Sequence, residues 1–113
     1  MHELPVTENL LEIAIRHANK AEATRILSLN IVIGQYASIV DDSIQFYWDI
    51  ITDGTLAQGA NLNFHRISAE FRCMNCHHCF SPVMELLPCP VCGSSKLDLI
   101  SGAEFFLESI EVE

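Results

Sequence analysis

The chain has 113 residues, half of them apolar, which allows one domain, or one domain with a small appendage, around a thin core. Six basic side chains against fifteen acidic ones give a net charge of −9. That balance argues against nucleic acid and anionic membrane, whose phosphates are bound mainly by Lys and Arg, and suits cation capture and docking to basic protein patches.

Pro5 sits where a first helical turn tolerates proline. Val6, Leu10 and Ile13, with Leu11, Ile15 and Ala18 beside them, then recur at helical spacing and predict an amphipathic helix to about Lys20. From Ile26 to Ile33 the chain alternates, with Leu27, Leu29, Ile31 and Ile33 on one side and Ser28 and Asn30 on the other. This predicts a half-buried strand ending at Gly34. Asp41 or Asp42 can cap a second helix with Ile44, Tyr47, Trp48 and Ile51 facing inward and Asp53-Gly54 ending it. Asn61 to Ile67 alternates through Leu62 and Phe64 as a second strand, and the cysteines follow. After Gly102, Phe105 to Val112 regains strand character, with Phe106, Ile110 and Val112 as inward candidates and a bulge or change of face compatible with Glu108.

Two helices covering one face of a small three-stranded sheet explain this pattern economically, as an α+β fold. The last strand returns to the sheet after the cysteine module, so the main domain is discontinuous. It comprises residues 1–67 plus 104–113, and the inserted module comprises residues 68–103.

The opening Met1-His2-Glu3-Leu4-Pro5 lacks the basic flank and apolar run of a signal peptide, and no apolar stretch is long enough to span a bilayer. A cytoplasmic protein is expected, where thiols stay reduced. The five cysteines between Cys73 and Cys92 then read as metal ligands rather than disulfides. Zinc needs four soft donors at tetrahedral corners. The turns Cys73-x2-Cys76 and Cys89-Pro90-Val91-Cys92-Gly93 supply two thiolates each, and the linker between them is ample for a hairpin. Cys73-x2-Cys76-x2-Cys79 also has the form of part of an iron–sulfur run, but the long gap to Cys89 and the leftover Cys92 argue against a cluster. Cys79 is then a spare, weakly buried thiol. His77 and His78 could substitute as ligands, but four thiolates already complete the site, so they read as exposed loop residues. A nucleic-acid-binding ribbon fails on charge, since the module offers Arg72 and Lys96 against Glu70, Glu85 and Asp98. Two alternatives remain open: a rubredoxin-like iron site for electron transfer, built on the same turns, and a zinc-ribbon adaptor without a second metal.

His2 is the other position that carries chemistry. The Met1 amine, the His2 amide nitrogen and His2 Nδ1 can form two fused chelate rings that occupy three corners of a square plane, a geometry favoured by nickel(II) and copper(II). The fourth corner must come from elsewhere, such as the Glu3 carboxylate, a histidine, water or a partner. On these residues alone, a frayed terminus with a chance histidine is the simpler reading. His17 and His65 have no comparable context and read as surface or partly buried structural residues.

The chain resembles the HypA/HybF family of hydrogenase nickel-incorporation proteins nearly end to end. The resemblance rests on Met1-His2-Glu3-Leu4, Ile33-Gly34, Gly54-Thr55-x-Ala57-x-Gly59, the paired cysteine turns and the closing Ile110-Glu111-Val112-Glu113. It implies a nickel metallochaperone, not an enzyme, for maturation of [NiFe]-hydrogenase. Its partners would be a nickel-binding GTPase of the HypB type and the hydrogenase large subunit; some relatives also serve urease. By the same resemblance His2 is the principal nickel ligand, with Met1 and Glu3 contributing, and Cys73, Cys76, Cys89 and Cys92 hold zinc. The chain departs from the family pattern at Cys79 and at His77, where a glycine is common.

Overall fold

The computed structural model describes residues 3–83 and 85–113. Helix α1 spans Glu3–Lys20, with acidic Glu3 in its first turn and His17 and Lys20 in its last, the arrangement that complements the helix dipole. Its buried stripe is Glu3, Thr7, Leu10, Ala14 and Ala18. Val6, Leu11, Ile13 and Ile15 flank that stripe half-buried. The helix therefore packs through small residues that permit close approach, with the larger apolar side chains along its shoulders. A Schellman motif ends it: the Glu22 N–H donates to the Asn19 carbonyl at 3.0 Å and the Ala23 N–H to the Ala18 carbonyl at 2.9 Å. Glu22 occupies the left-handed position with φ 55°, where glycine is usual.

Strand β1 (Ile26–Gly34) lies at the centre of a three-stranded sheet, between β2 (Asn61–Ile67) and β6 (Phe105–Val112). Asn30 bonds Ser109 of β6, while Thr24 and Arg25 meet Glu113, so β6 runs antiparallel to β1. On the other side Asn30 meets Asn63 and His65, and Gln35 meets Ile67, so β2 runs parallel to it with α2 (Asp41–Ile51) in the crossover. With a neighbour on each side, β1 is buried along nearly its whole length, Ser28 and Val32 included, rather than on one side only. Leu27, expected inward, is exposed. In β6 the expected inward residues Phe106 and Val112 are also exposed. Ile110 is half-buried as expected, Phe105 and Leu107 are half-buried in place of Phe106, and the phase changes across the exposed Glu108–Ser109. A strand with one hydrogen-bonded neighbour and an opening Phe-Phe-Leu does not declare its face, and a one-residue slip inverts every side chain.

Helix α2 buries Ile44 and Trp48, with Tyr47 and Ile51 half-buried. Its N-cap is Val40, which offers no capping side chain, so Asp41 and Asp42 lie within the first turn rather than at the cap. There they favour the positive end of the dipole. The helix stops at Ile51, ahead of Asp53-Gly54; Thr52 closes it by donating both its N–H and its hydroxyl to the Trp48 carbonyl.

A second three-stranded sheet consists of β4 (Cys79–Phe80), β3 (Glu70–Cys73) and β5 (Leu97–Ser101), in that order and antiparallel. The linker from Cys76 to Cys89 is not a hairpin of its own. Its first residues return to β3 as β4, and Pro82 and Pro88, which cannot donate to a ladder, lie in the irregular stretch that follows. The chain divides into two compact units. One contains the described residues up to Val32, Ser38–His65 and Phe106–Glu113; the other contains Ile33–Ala37 and Arg66–Phe105. Within the second, Gly34 packs so closely on Gly102 that a Cβ would lie 2.1 Å from the Gly102 carbonyl oxygen. Tyr36 N–H bonds that same oxygen at 2.7 Å.

Candidate metal centre

Two turns of the same construction deliver the four thiols. In the first, the Cys73 carbonyl accepts from His77 N–H at 2.9 Å, Cys73 N–H donates to the His78 carbonyl at 2.9 Å, and Asn75 N–H points at Cys73 Sγ at 3.4 Å. The second repeats this position by position. Gly93 N–H meets the Cys89 carbonyl at 2.8 Å, Cys89 N–H meets the Ser94 carbonyl at 2.9 Å, and Val91 N–H approaches Cys89 Sγ at 3.4 Å. The fifth residue of each turn is left-handed, His77 at φ 65° and Gly93 at 77°. Glycine fits that position without strain. His77 holds the same conformation with a side chain attached.

The sulfurs meet across the turns, Cys73 to Cys92 at 3.5 Å and Cys76 to Cys89 at 3.6 Å, and all four lie within 4.8 Å of one another. These separations are too long for a disulfide. They are close to the edge of about 3.8 Å that a tetrahedron with 2.3 Å metal–sulfur bonds requires. The first cysteine of each turn is buried and the second is exposed.

Thiolate charge is favoured unevenly. The Cys76 N–H, aided by that of Asn75, holds the Cys73 thiol down at about 6. The His78 N–H favours the Cys76 thiolate, but desolvation and the sulfurs of Cys89, Cys92 and Cys73 outweigh it and push that thiol up to about 12. Burial opposes ionisation of Cys89, yet the N–H groups of Cys92 and Val91 bring its thiol below the ordinary value. Four negative charges cannot share this volume at neutral pH unless a cation joins them, so the donor set fits a bound metal.

Asn75, which sequence reasoning passed over, reaches from the first turn to Cys92 Sγ of the second, 3.6 Å from its Nδ2. Nothing in a Cys-x2-Cys pattern singles out that side chain. Cys79 is exposed rather than weakly buried, since it lies on the short strand β4 opposite Arg72 of β3, and it is not part of the four-sulfur cluster. His78 stacks on Phe80 at 6.1 Å, Phe80 on Phe71, and Phe71 meets Tyr36 edge-on. Among the described residues no other group of His, Cys, Asp and Glu has metal-binding spacing. His17 is exposed, and His65 Nε2 lies 3.3 Å from Asn30 Oδ1.

Met1 and His2, two of the three expected nickel ligands, lie outside the described residues. Glu3, the third, is buried, and its carboxylate accepts the Val40 N–H at 3.2 Å, at the N-cap of α2. Its carbonyl accepts the Thr7 hydroxyl at 2.6 Å. The chain is therefore anchored to both helices one residue after His2.

The family model described as hydrogenase/urease nickel incorporation, metallochaperone, hypA, matches residues 1–112. A hydrogenase maturation factor HypA of Dehalococcoides mccartyi is 47% identical over 113 residues, covering all of this chain and 95% of that protein. A hydrogenase maturation factor HypA of Caldanaerobacter subterraneus is 39% identical, covering all of both chains. Two solved structures share the fold. A solution structure of HypA protein has TM-score 0.73 at 25% identity, covering all of this chain and 97% of that one. The solution structure of the Ni metallochaperone HypA from Helicobacter pylori has TM-score 0.67 at 24% identity, covering 99% and 97%.

Proposed function

The chain belongs to the HypA family of hydrogenase/urease nickel-incorporation metallochaperones, and on that premise we propose that it carries nickel(II) on its amino terminus while a zinc held by Cys73, Cys76, Cys89 and Cys92 stabilises the cysteine module. Nickel is the cargo and zinc the resident ion. The Met1 amine, the His2 amide nitrogen and His2 Nδ1 form the chelate. Glu3 either completes it or, through its bond to Val40, holds the terminus against α2 so that the chelate is presented in one orientation. The zinc module, residues 68–103, and the nickel-bearing domain, residues 1–67 plus 104–113, act as separate folding units.

The observation that carries the zinc reading is the cross-turn meeting of four sulfurs at tetrahedral spacing. Membership of the family carries the nickel reading. Nickel then passes to the hydrogenase maturation machinery, with a nickel-binding GTPase of the HypB type and the hydrogenase large subunit as partners. This chain supplies binding rather than catalysis, and it does so in the cytoplasm. Among the described residues no helix is long and apolar enough to cross a membrane.

The test is a nickel titration of untagged, zinc-loaded protein. One nickel should bind beyond the zinc. His2→Ala or amino-terminal acetylation should each abolish that binding and leave the zinc content unchanged, because each removes a donor of the same chelate. Unchanged affinity in both forms rules out the terminal site. Colourless purified protein separates zinc from the red ferric tetrathiolate of a rubredoxin-like carrier.

A further inference from the structure

Helices α1 and α2 run side by side in the same direction: Glu3 meets Val40 at their starts, and Ile51 at the end of α2 lines a groove with residues 8–19 of α1. The groove encloses about 720 Å³. Its floor is Leu11 and Ile15 from α1 and Ile51 from α2, and Glu8 and Glu12 stand along its α1 wall with Arg16 beyond them. On α1 the Leu11–Ile15 row lies next to the buried Leu10–Ala14–Ala18 stripe, and the Glu8–Glu12 row lies outside it. On α2 the Tyr47–Ile51 row lies between the buried Ile44–Trp48 row and a third row, Phe46 and Ile50, which are 62% and 58% exposed. Apolar surface thus continues from the floor onto the outer face of α2, more than the core of this unit needs.

Glu8 and Glu12 are like charges one helical turn apart, exposed, and without an ion-pair partner among the described residues. Such a pair weakens an isolated helix. A basic group placed above it would reverse that effect.

We propose that this groove is the docking site of a basic amphipathic helix on a protein partner, whose apolar row lies between α1 and α2 while flanking Lys or Arg side chains meet Glu8 and Glu12. Two helices side by side form the trough into which a third packs ridge-into-groove, at 8–10 Å between axes. An anionic membrane is disfavoured by the acidic wall. A second copy of the chain docking through the same face would set Glu8 and Glu12 against their own counterparts. The proposal does not depend on the nickel reading.

The test uses the full-length, metal-loaded chain and three synthetic peptides of about fifteen residues. One carries leucines at i, i+4, i+7 and i+11 with lysines elsewhere, the second replaces lysine by glutamate, and the third scrambles the first. The lysine peptide should bind saturably, with amide shifts confined to residues 8–19 and 46–51 and with affinity falling as salt rises. Glu8→Lys combined with Glu12→Lys, and separately Ile15→Gln, should each weaken it about tenfold or more. If Ile15→Gln disturbs folding, the charge-reversed protein, altered only at exposed positions, decides the matter. Equal binding of the scrambled or glutamate peptide, shifts elsewhere on the molecule, or undiminished affinity after charge reversal overturns the proposal.

Discussion

Removing the metal from the four-cysteine cluster should unfold the module around it and leave the helix-bearing sheet standing. Among the described residues of the module the buried apolar side chains are Ala69, Phe71, Cys73 and Cys89, and only Phe71 is large. Its burial contributes about 2–3 kcal/mol, whereas a structural zinc contributes about 10–16 kcal/mol at neutral pH. The metal therefore outweighs the core several-fold. The main sheet and its helices bury Ile26, Leu29, Ile31, Ile44 and Trp48, each contributing about 1.5–3 kcal/mol without any ion. Hydrogen exchange after chelation is the assay: amides of Phe71 to Cys73 and Leu97 to Ser101 should lose protection, while those of Leu29 and Ile31 keep it. A proton count adds a second check. Once the module unfolds, the N–H groups that hold the Cys73 thiol low no longer surround it, and thiols of an unfolded chain, with pKa about 8.5, are mostly protonated at about pH 7. Metal uptake must therefore release most of the four thiol protons, and affinity falls as the solution is acidified. Calorimetry in buffers of different ionisation enthalpy measures this number. Protection surviving at Phe71 after chelation, or uptake at about pH 7 with no proton release, would refute the reasoning.

Other substitutions probe single features. Glu22→Gly and His77→Gly should each raise thermal stability, by about 0.5–1 kcal/mol, because both side chains occupy left-handed backbone that glycine adopts without strain; a loss at both sites contradicts the assignment. Gly34→Ala should cost about 2–3 kcal/mol or more in denaturant unfolding, since its Cβ would collide with the backbone of Gly102. Glu3→Ala should destabilise by about 1–2 kcal/mol by orphaning the Val40 N–H, while Glu3→Gln retains an acceptor and most of the stability. Nickel affinity unchanged in Glu3→Gln would assign Glu3 to positioning rather than ligation.

What the chain carries locally was readable from it. The two Cys-x2-Cys turns are built from hydrogen bonds spanning no more than five residues, so their spacing declares the sulfur pairs before any tertiary structure exists. Helix α1 from its period, β2 from its alternation and the presence of a strand at β6 were legible for the same reason. Tertiary structure alone decided which side of β6 faces inward and that β1, paired on both edges, is buried on both faces. It also brought the Glu3 carboxylate to Val40 across 37 positions of chain and the Asn75 amide to Cys92 of the other turn. Burial and register depend on what a neighbouring strand or helix covers, and a residue's own sequence context does not encode that neighbour.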